Sequence, residues 1–361
     1  MRRGWYAKGK PLTLQEITDL CNSVKDFPEK IFLALQDSDE YSAGVYEFNE
    51  DKLKLISQKK VTKFPAEIYP SFKKAASNAL IRIGLAWQIM NYKAEAIGLG
   101  MAHMQRQPEI TDCLNEYIVP YTVVISRKRE WQLRKDNSKP ADINNKQMQL
   151  DTPFVYKNKK TKTIDESITA KHKGSVLNKE KISQLLWAAE GENDHLAHGD
   201  SPSAYPIEEI GWARVHSSGC AGYAIYPILV SKNIKNIPKG SYIYNMQGFS
   251  GLKRWNKNGY DHTLIKFSNN ADANKIILCA DFKKPCGPKE WSYVEAGMAL
   301  AGLKLMANAL NIRTNINYNP KINLSKAEEK IKQAAESMSD KPEIVKLNLN
   351  SNLNSLVEIQ F

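Results

Sequence analysis

The 361 residues exceed ordinary single-domain size, and at ~150 residues per domain they predict about two domains. Apolar residues at 42% and charged residues at 25% describe a chain able to bury a full core, which excludes disordered, collagen-like and disulfide-scaffold classes. The formal charge of +12, from 51 Lys and Arg against 39 Asp and Glu, suits a nucleic acid, an anionic membrane surface, or an anionic cofactor or substrate. No apolar run approaches the ~18 residues of a membrane span, and the basic start MRRGWYAKGKPLTLQE lacks an apolar core, which reads against a secretory signal. Five cysteines (Cys21, Cys113, Cys220, Cys279, Cys286) form no CxxC pair and no disulfide framework, so a cytoplasmic setting is expected. The positive residues are dispersed, apart from Ser126-Arg127-Lys128-Arg129 and the run Lys157 to Lys162. No nucleic-acid-binding motif accompanies them, so nucleic acid is disfavoured as a partner.

Taken in order, the predicted elements repeat. A polar lead-in and amphipathic helix at Pro11 to Leu20 returns at Ser175 to Leu186, with Ile17 matching Ile182 and Leu20 matching Leu185. A strand, polar turn, glycine and second strand at Ile31 to Phe48 returns at Pro227 to Tyr244, with Gly44-Val45-Tyr46 against Gly240-Ser241-Tyr242. Two long helices apolar nearly all round follow, Ile83 to Gly100 and Ala296 to Arg313, pairing Gly84 with Gly297 and Ala94 with Ala307. Each copy then predicts a shorter charged helix and a closing strand, within ITDCLNEYIVPYTVVIS in the first and AEEKIKQAAESMSDKPEIVKLNL in the second. Residues 1–130 thus form one half and 164–361 the other. Residues 131–163, rich in Lys, Asn and Gln, read as a linker or wrapping arm. The second copy also carries Glu190 to Gly222, which the first lacks, passing almost directly from Val24 to Phe32.

Several segments in this order suggest a family: Arg2, Arg3, Gly4 and Tyr6, then KPLTLQEI, ISQLLWAAEG, Arg214, SSGCAGYAIYP, GSYIYN and EAGMALAGLKLMANAL. The series resembles the nitroreductase-like flavoproteins, and within them the SagB-type dehydrogenases that oxidise azolines in modified peptides. The resemblance implies an α+β fold of two tandem nitroreductase-like domains, each an antiparallel-dominated sheet flanked by helices. The two would form an intramolecular pseudo-dimer, a monomer in which higher oligomers stay open. It implies FMN as cofactor, with NAD(P)H or the substrate itself as electron source, and a nitroaromatic, quinone or modified-peptide substrate.

Carried over by position, Arg2, Arg3, Arg127, Lys128 and Arg129 would hold the phosphate, with Gly4 and Tyr6 beside them. Arg214 with Ser217, Ser218, Gly219, Cys220 and Gly222 would edge the ring, and Gly98 to Ala102, including Gly100 and Met101, would lie on the flavin's other side. The chemistry suits these residue types: arginine forks match a phosphate dianion, and small residues let backbone N–H groups approach a ring edge. The cofactor performs the redox step itself, which accounts for the absence of a catalytic triad or carboxylate pair in the sequence. The first copy keeps the arginine pair without the loop; the second keeps the loop but has Lys171-His172-Lys173 in place of the arginines. The remnants therefore predict one composite site and one flavin per chain.

The chain departs from the family at Gly4 and Cys220, both serines there, and has an extra residue before Tyr226-Pro227. The alternative from another class is a flavin-free scaffold or partner-binding subunit. Cys220, without a committed basic partner, reads as inert rather than nucleophilic. Asp194, His195, His198 and Asp200 hint at a metal without a placed third ligand, so no metal is expected. Tyr242 and Tyr244, two apart on one strand face, read as packing. Gly84, Ala86, Gly297 and Ala301 read as permitting close helix approach.

Overall fold

The computed structural model describes residues 9–58, 62, 64–76, 78–104, 110–119, 122–127, 148–151, 164–169, 174–196, 212–214, 224–246, 262–282, 289–318, 320, 323–330 and 353–361. The chain divides into two units, Met1–Trp131 and Gln132–Phe361. In the first, the order is α1 (Leu14–Asn22), β1 (Lys30–Leu35), β2 (Gly44–Asn49), β3 (Lys52–Ser57), β4 (Ala66–Lys73), α2 (Ala79–Ala96), β5 (Leu99–Met104), β6 (Tyr117–Ile118) and β7 (Thr122–Arg127). The second unit runs β8 (Met148–Gln149), α3 (Ile164–Thr169), α4 (Lys179–Glu190), β9 (Glu192–Leu196), β10 (Trp212–Arg214), β11 (Ile225–Ser231), β12 (Gly240–Met246), β13 (His262–Ser268), β14 (Lys275–Asp281), α5 (Glu290–Ala309), β15 (Asn315–Asn317) and β16 (Leu353–Gln360).

The two sheets share one topology. The first is ordered β3-β2-β1-β4-β7-β5, and the second, read in the same sense, is β13-β12-β11-β14-β16-β15 with β8 added at the β13 edge. Every pair in both is antiparallel. The central strands β1, β4, β11 and β14 are buried nearly throughout, as strands covered on both faces must be. In the first unit one face of β1, Phe32 and Ala34, packs with Ile110 and Leu114. In the second the matching residues, Ile228 and Val230, pack with Leu324 and Ala327.

The repeat holds at the level of single bonds. In α1, Thr13 accepts from the Glu16 amide while the Glu16 carboxylate accepts from the Thr13 amide, a capping box; Asn178 caps α4 by accepting from the Lys181 amide. Ile17, Leu20, Ile182 and Leu185 are all fully buried, as their matched spacing predicts. The Tyr46 hydroxyl donates to the carbonyl of Ser42 at 2.7 Å, and that of Tyr242 to Pro238 at 2.7 Å, each four residues back. A β-bulge follows Val45 in one sheet and Ser241 in the other. The glycines before them are demanded by close approach: a Cβ on Gly44 would lie 2.6 Å from the Ser57 carbonyl oxygen, and one on Gly240 2.6 Å from that of Ser268.

Both long helices are buried nearly all round, including Gly84, Ala94, Gly297 and Ala307. They end alike. The Ile97 amide donates to Lys93 O and the Leu310 amide to Met306 O, and the next residue takes a left-handed conformation in both, Gly98 at φ 83° and Asn311 at φ 57°. Among the described residues, no helix is long and apolar enough to cross a membrane.

One expectation needs correction. The short helix after α2 is reduced to a single 3₁₀ turn, Thr111–Leu114, around which Ile110 and Leu114 are buried against the sheet face with Cys113, Tyr117 and Val119 packed beside them. The closing strand read within AEEKIKQAAESMSDKPEIVKLNL lies beyond residue 330 and so outside the described residues; the strand described after it is β16 at Leu353–Gln360, where Leu356, Val357 and Ile359 are buried. Most of the segment read as a linker lies outside the described residues. Its described part, Met148–Asp151, is fastened to the second unit: β8 pairs with β13, and the Leu150 amide donates to His262 O. The imidazole completes the fastening. Asp151 O can only accept, so His262 Nε2 carries the proton and donates to it at 2.9 Å, while Nδ1 accepts from the Tyr244 hydroxyl at 2.9 Å. Tyr242 and Tyr244 are both buried, in line with a packing role.

Candidate functional site

The sequence-predicted residues fall into three groups. In the first unit, β5 leaves the end of α2 through Gly98 and pairs with β7, setting Leu99 opposite Arg127, Gly100 opposite Ser126 and Met101 opposite Ile125. Gly100 and Arg127, far apart in sequence, thus stand one residue out of register on neighbouring strands. Met101 has 0% exposure, which argues for packing rather than ligand contact. In the second unit, Arg214 lies on β10, opposite Glu192 of β9 in a two-stranded sheet. Arg2, Arg3, Gly4, Tyr6, Lys128, Arg129, Ser217, Ser218, Gly219, Cys220 and Gly222 lie outside the described residues.

Matching frames make the insertion stand out. From α1 to β1 the chain needs only residues 23–29; from α4 to β11 it runs through 191–224 and includes β9 and β10. An FMN requires cations for its phosphate and small residues along its ring. In the first unit Gly100, which has no side chain, stands beside the strand that Arg127 closes, and in the second the insertion is rich in glycine and serine by sequence.

Sequence reasoning missed the group where that insertion rejoins the sheet. The amide of Ala224, the last residue before β11, donates to Glu295 Oε2 on α5 at 3.2 Å. Its carbonyl accepts from the Asp281 amide, at the end of β14, at 3.0 Å. Glu295 is fully buried, Asp281 nearly so, and Ser292 lies one turn earlier on the same helix, also buried. The signal was present in EAGMALAGLKLMANAL: a carboxylate inside an otherwise apolar buried helix requires a donor.

Other reactive groups in the described residues are quiet. Burial pushes the thiols of Cys21 and Cys279 well above the ordinary cysteine range, so neither is a thiolate at neutral pH. Burial likewise pushes the Tyr92 phenol up to about 12. No group of three or more metal-ligating side chains occurs among the described residues; Asp194 and His195 lie on β9, whereas His198 and Asp200 are outside them.

No known family profile and no curated protein matches the chain. Solved structures do. A candidate nitroreductase from Anabaena variabilis ATCC 29413 aligns over 98% of this chain and 89% of its own, with a TM-score of 0.56 and 8% identity. A candidate nitroreductase from Ralstonia eutropha JMP134 aligns over 64% of this chain and 97% of its own, with a TM-score of 0.34 and 12% identity. The chain therefore has an α+β nitroreductase fold, in two units of mixed helix and antiparallel sheet. At such identity the likeness is one of fold.

Proposed function

We propose that the chain is an FMN-dependent oxidoreductase of nitroreductase or SagB-type dehydrogenase character, holding one flavin per polypeptide. The observation that carries this reading is the unequal connection on matching frames, residues 23–29 against 191–224. Two equivalent sites would need equivalent connections, whereas a single site needs each binding element only once. Arg2, Arg3, Arg127, Lys128 and Arg129 neutralise the phosphate, Gly100 leaves a neighbouring strand free of side chain, and Arg214 with the N–H groups of 217–222 meets the ring edge. Bound FMN supplies hydride acceptance and donation at N5, with NAD(P)H or the substrate as electron source. Cation and N–H donors at the ring edge stabilise the charge that reduction adds.

The test is stoichiometry. Protein reconstituted with FMN and freed of excess is expected to hold one flavin per chain by its visible absorption. Two per chain would overturn the single-site reading. None would overturn the flavin reading and favour the rival, a flavin-free partner-binding subunit, which the complete burial of Met101 also suits. Replacing Arg2 and Arg3 together by Ala is expected to weaken FMN binding by about tenfold or more without lowering Tm. Unchanged affinity would show that another set of cations holds the phosphate.

A further inference from the structure

One corner of the repeated fold carries opposite charge in the two units. Leu35 faces Gly44 across β1 and β2 as Ser231 faces Gly240 across β11 and β12, so residues 36–43 and 232–239 are equivalent connections of equal length. The first carries Asp37, Asp39 and Glu40 and no base; the second carries Lys232, Lys235 and Lys239 and no acid. All of these side chains are exposed. The adjoining helix follows suit. Ile17 of α1 matches Ile182 of α4, which sets Glu16 against Lys181 and Leu14 against Lys179, although Lys10 and Glu180 nearby run against the trend. Each connection is tied to its helix: the Leu14 amide donates to Glu40 Oε2 at 2.6 Å in one unit, and the Lys179 amide to Lys235 O at 3.0 Å in the other. An exposed aliphatic side chain stands at each corner. Leu14 is 38% exposed; Val176, 77% exposed, precedes Leu177, whose carbonyl accepts from the Lys235 amide at 3.1 Å.

Local structure accounts for the acidic corner but not for the basic one. In the first unit the carboxylates serve the chain's own amides: Glu16 caps α1, Glu40 accepts from Leu14, and Asp37 Oδ1 accepts from Ala43 at 3.1 Å. Negative charge at a helix start is also favourable. In the second unit Lys179 and Lys181 put positive charge at the start of α4, where the helix dipole disfavours it. Lys181 Nζ donates to Val176 O at 2.9 Å, whereas Lys232, Lys235 and Lys239 form no ion pair among the described residues. Gathered like charges repel one another and weaken the fold, so they call for a counter-charge from outside the unit. A fitting partner presents carboxylates around an aliphatic side chain, as Asp37, Asp39 and Glu40 surround Leu14. We propose that the basic corner of one chain docks on the acidic corner of a second copy, head to tail. Complementary charge sets partner and orientation, while Leu14 and Val176 supply apolar area to bury. The contact joins unlike surfaces, so each chain can engage two neighbours.

The experiment is sedimentation velocity on the full chain at low ionic strength, up to about 0.5 mM because exposed charge pairs make weak, transient contacts. The wild type is expected to associate as concentration rises, and about tenfold more weakly in ~1 M salt, where the screening length is about 3 Å. One variant neutralises the basic corner (Lys232→Gln, Lys235→Gln, Lys239→Gln). The other neutralises the acidic corner with isosteres that keep its backbone hydrogen bonds (Asp37→Asn, Asp39→Asn, Glu40→Gln). Each alone is expected to associate at least about tenfold more weakly than the wild type. Mixed together, they retain one intact corner of each kind and are expected to form a one-to-one dimer with about wild-type affinity and nothing larger. A wild-type chain that stays monomeric at every concentration would overturn the proposal, and so would association unchanged in either variant. A mixture that stays monomeric would overturn it too, as would a monomeric chain whose basic corner binds nucleic acid or an anionic vesicle instead.

Discussion

His262 makes the second unit sensitive to mild acid by a calculable amount. Its ring is buried, and burial pushes its pKa down to about 4 despite the opposing pull of Asp151; Lys179 adds to the depression. The folded chain therefore keeps the imidazole neutral, donating to Asp151 O and accepting from the Tyr244 hydroxyl. The unfolded chain binds a proton once pH falls below about 6.5. The stability contributed by neutral burial is thus complete above the unfolded value, falls as pH drops from about 6.5, and is lost below about 4. At about 1.4 kcal/mol per pH unit, this residue alone makes the second unit about 2 kcal/mol less stable at pH 5 than at pH 7. His262→Gln offers an amide N–H and a carbonyl without titrating. Urea unfolding of the full chain and of this variant, at both pH values, separates His262 from every other titrating group. The variant's stability is expected to fall with acid by about 2 kcal/mol less than the wild type's. Identical pH dependence in the two proteins would refute the reasoning.

The duplication supplies matched perturbations. Gly44→Ala and Gly240→Ala each push a methyl against a backbone carbonyl that cannot retreat, and each is expected to cost about 1–3 kcal/mol in denaturant unfolding of its unit. A neutral result at either position would mean that the bulge yields. Ile17→Ala and Ile182→Ala remove fully buried side chains from corresponding helices, each with an expected loss of about 2–5 kcal/mol by urea titration. A loss under about 1 kcal/mol at one of them would show that the two helices do not carry equivalent cores.

The parts of the fold legible in the sequence were those governed by period and by forced residue types. Ile17 and Leu20 against Ile182 and Leu185 mark one buried helix stripe. Gly44 and Gly240 mark the close approach of a neighbouring strand, and the apolar runs of α2 and α5 mark burial on all sides. The illegible parts depend on partners distant in sequence. β8 is a two-residue strand that exists because β13 offers an edge and His262 a bond. β16, at Leu353–Gln360, takes its place from pairing with β14 and β15, partners far from it in sequence. At the candidate site, sequence reading named residue types suited to a flavin. It passed over Glu295, since a charge inside an apolar helix reveals its partner only when the chain is folded.

The position of β16 governs the order in which the second sheet can be assembled during translation. It lies between β14 and β15, and Glu358 on it ties the three together, meeting Lys275 at 3.5 Å and accepting from Asn317 at 3.0 Å. Until the ribosome has made residues 353–360, β14 presents an open, apolar margin and β15 has nothing to pair with. The first unit meets no such delay, because its corresponding strand, β7, is complete at Arg127. The nascent chain thus carries a finished amino-proximal half alongside a half with an exposed seam, a state in which chaperone capture or mispairing with a neighbouring polypeptide would concentrate on the second unit.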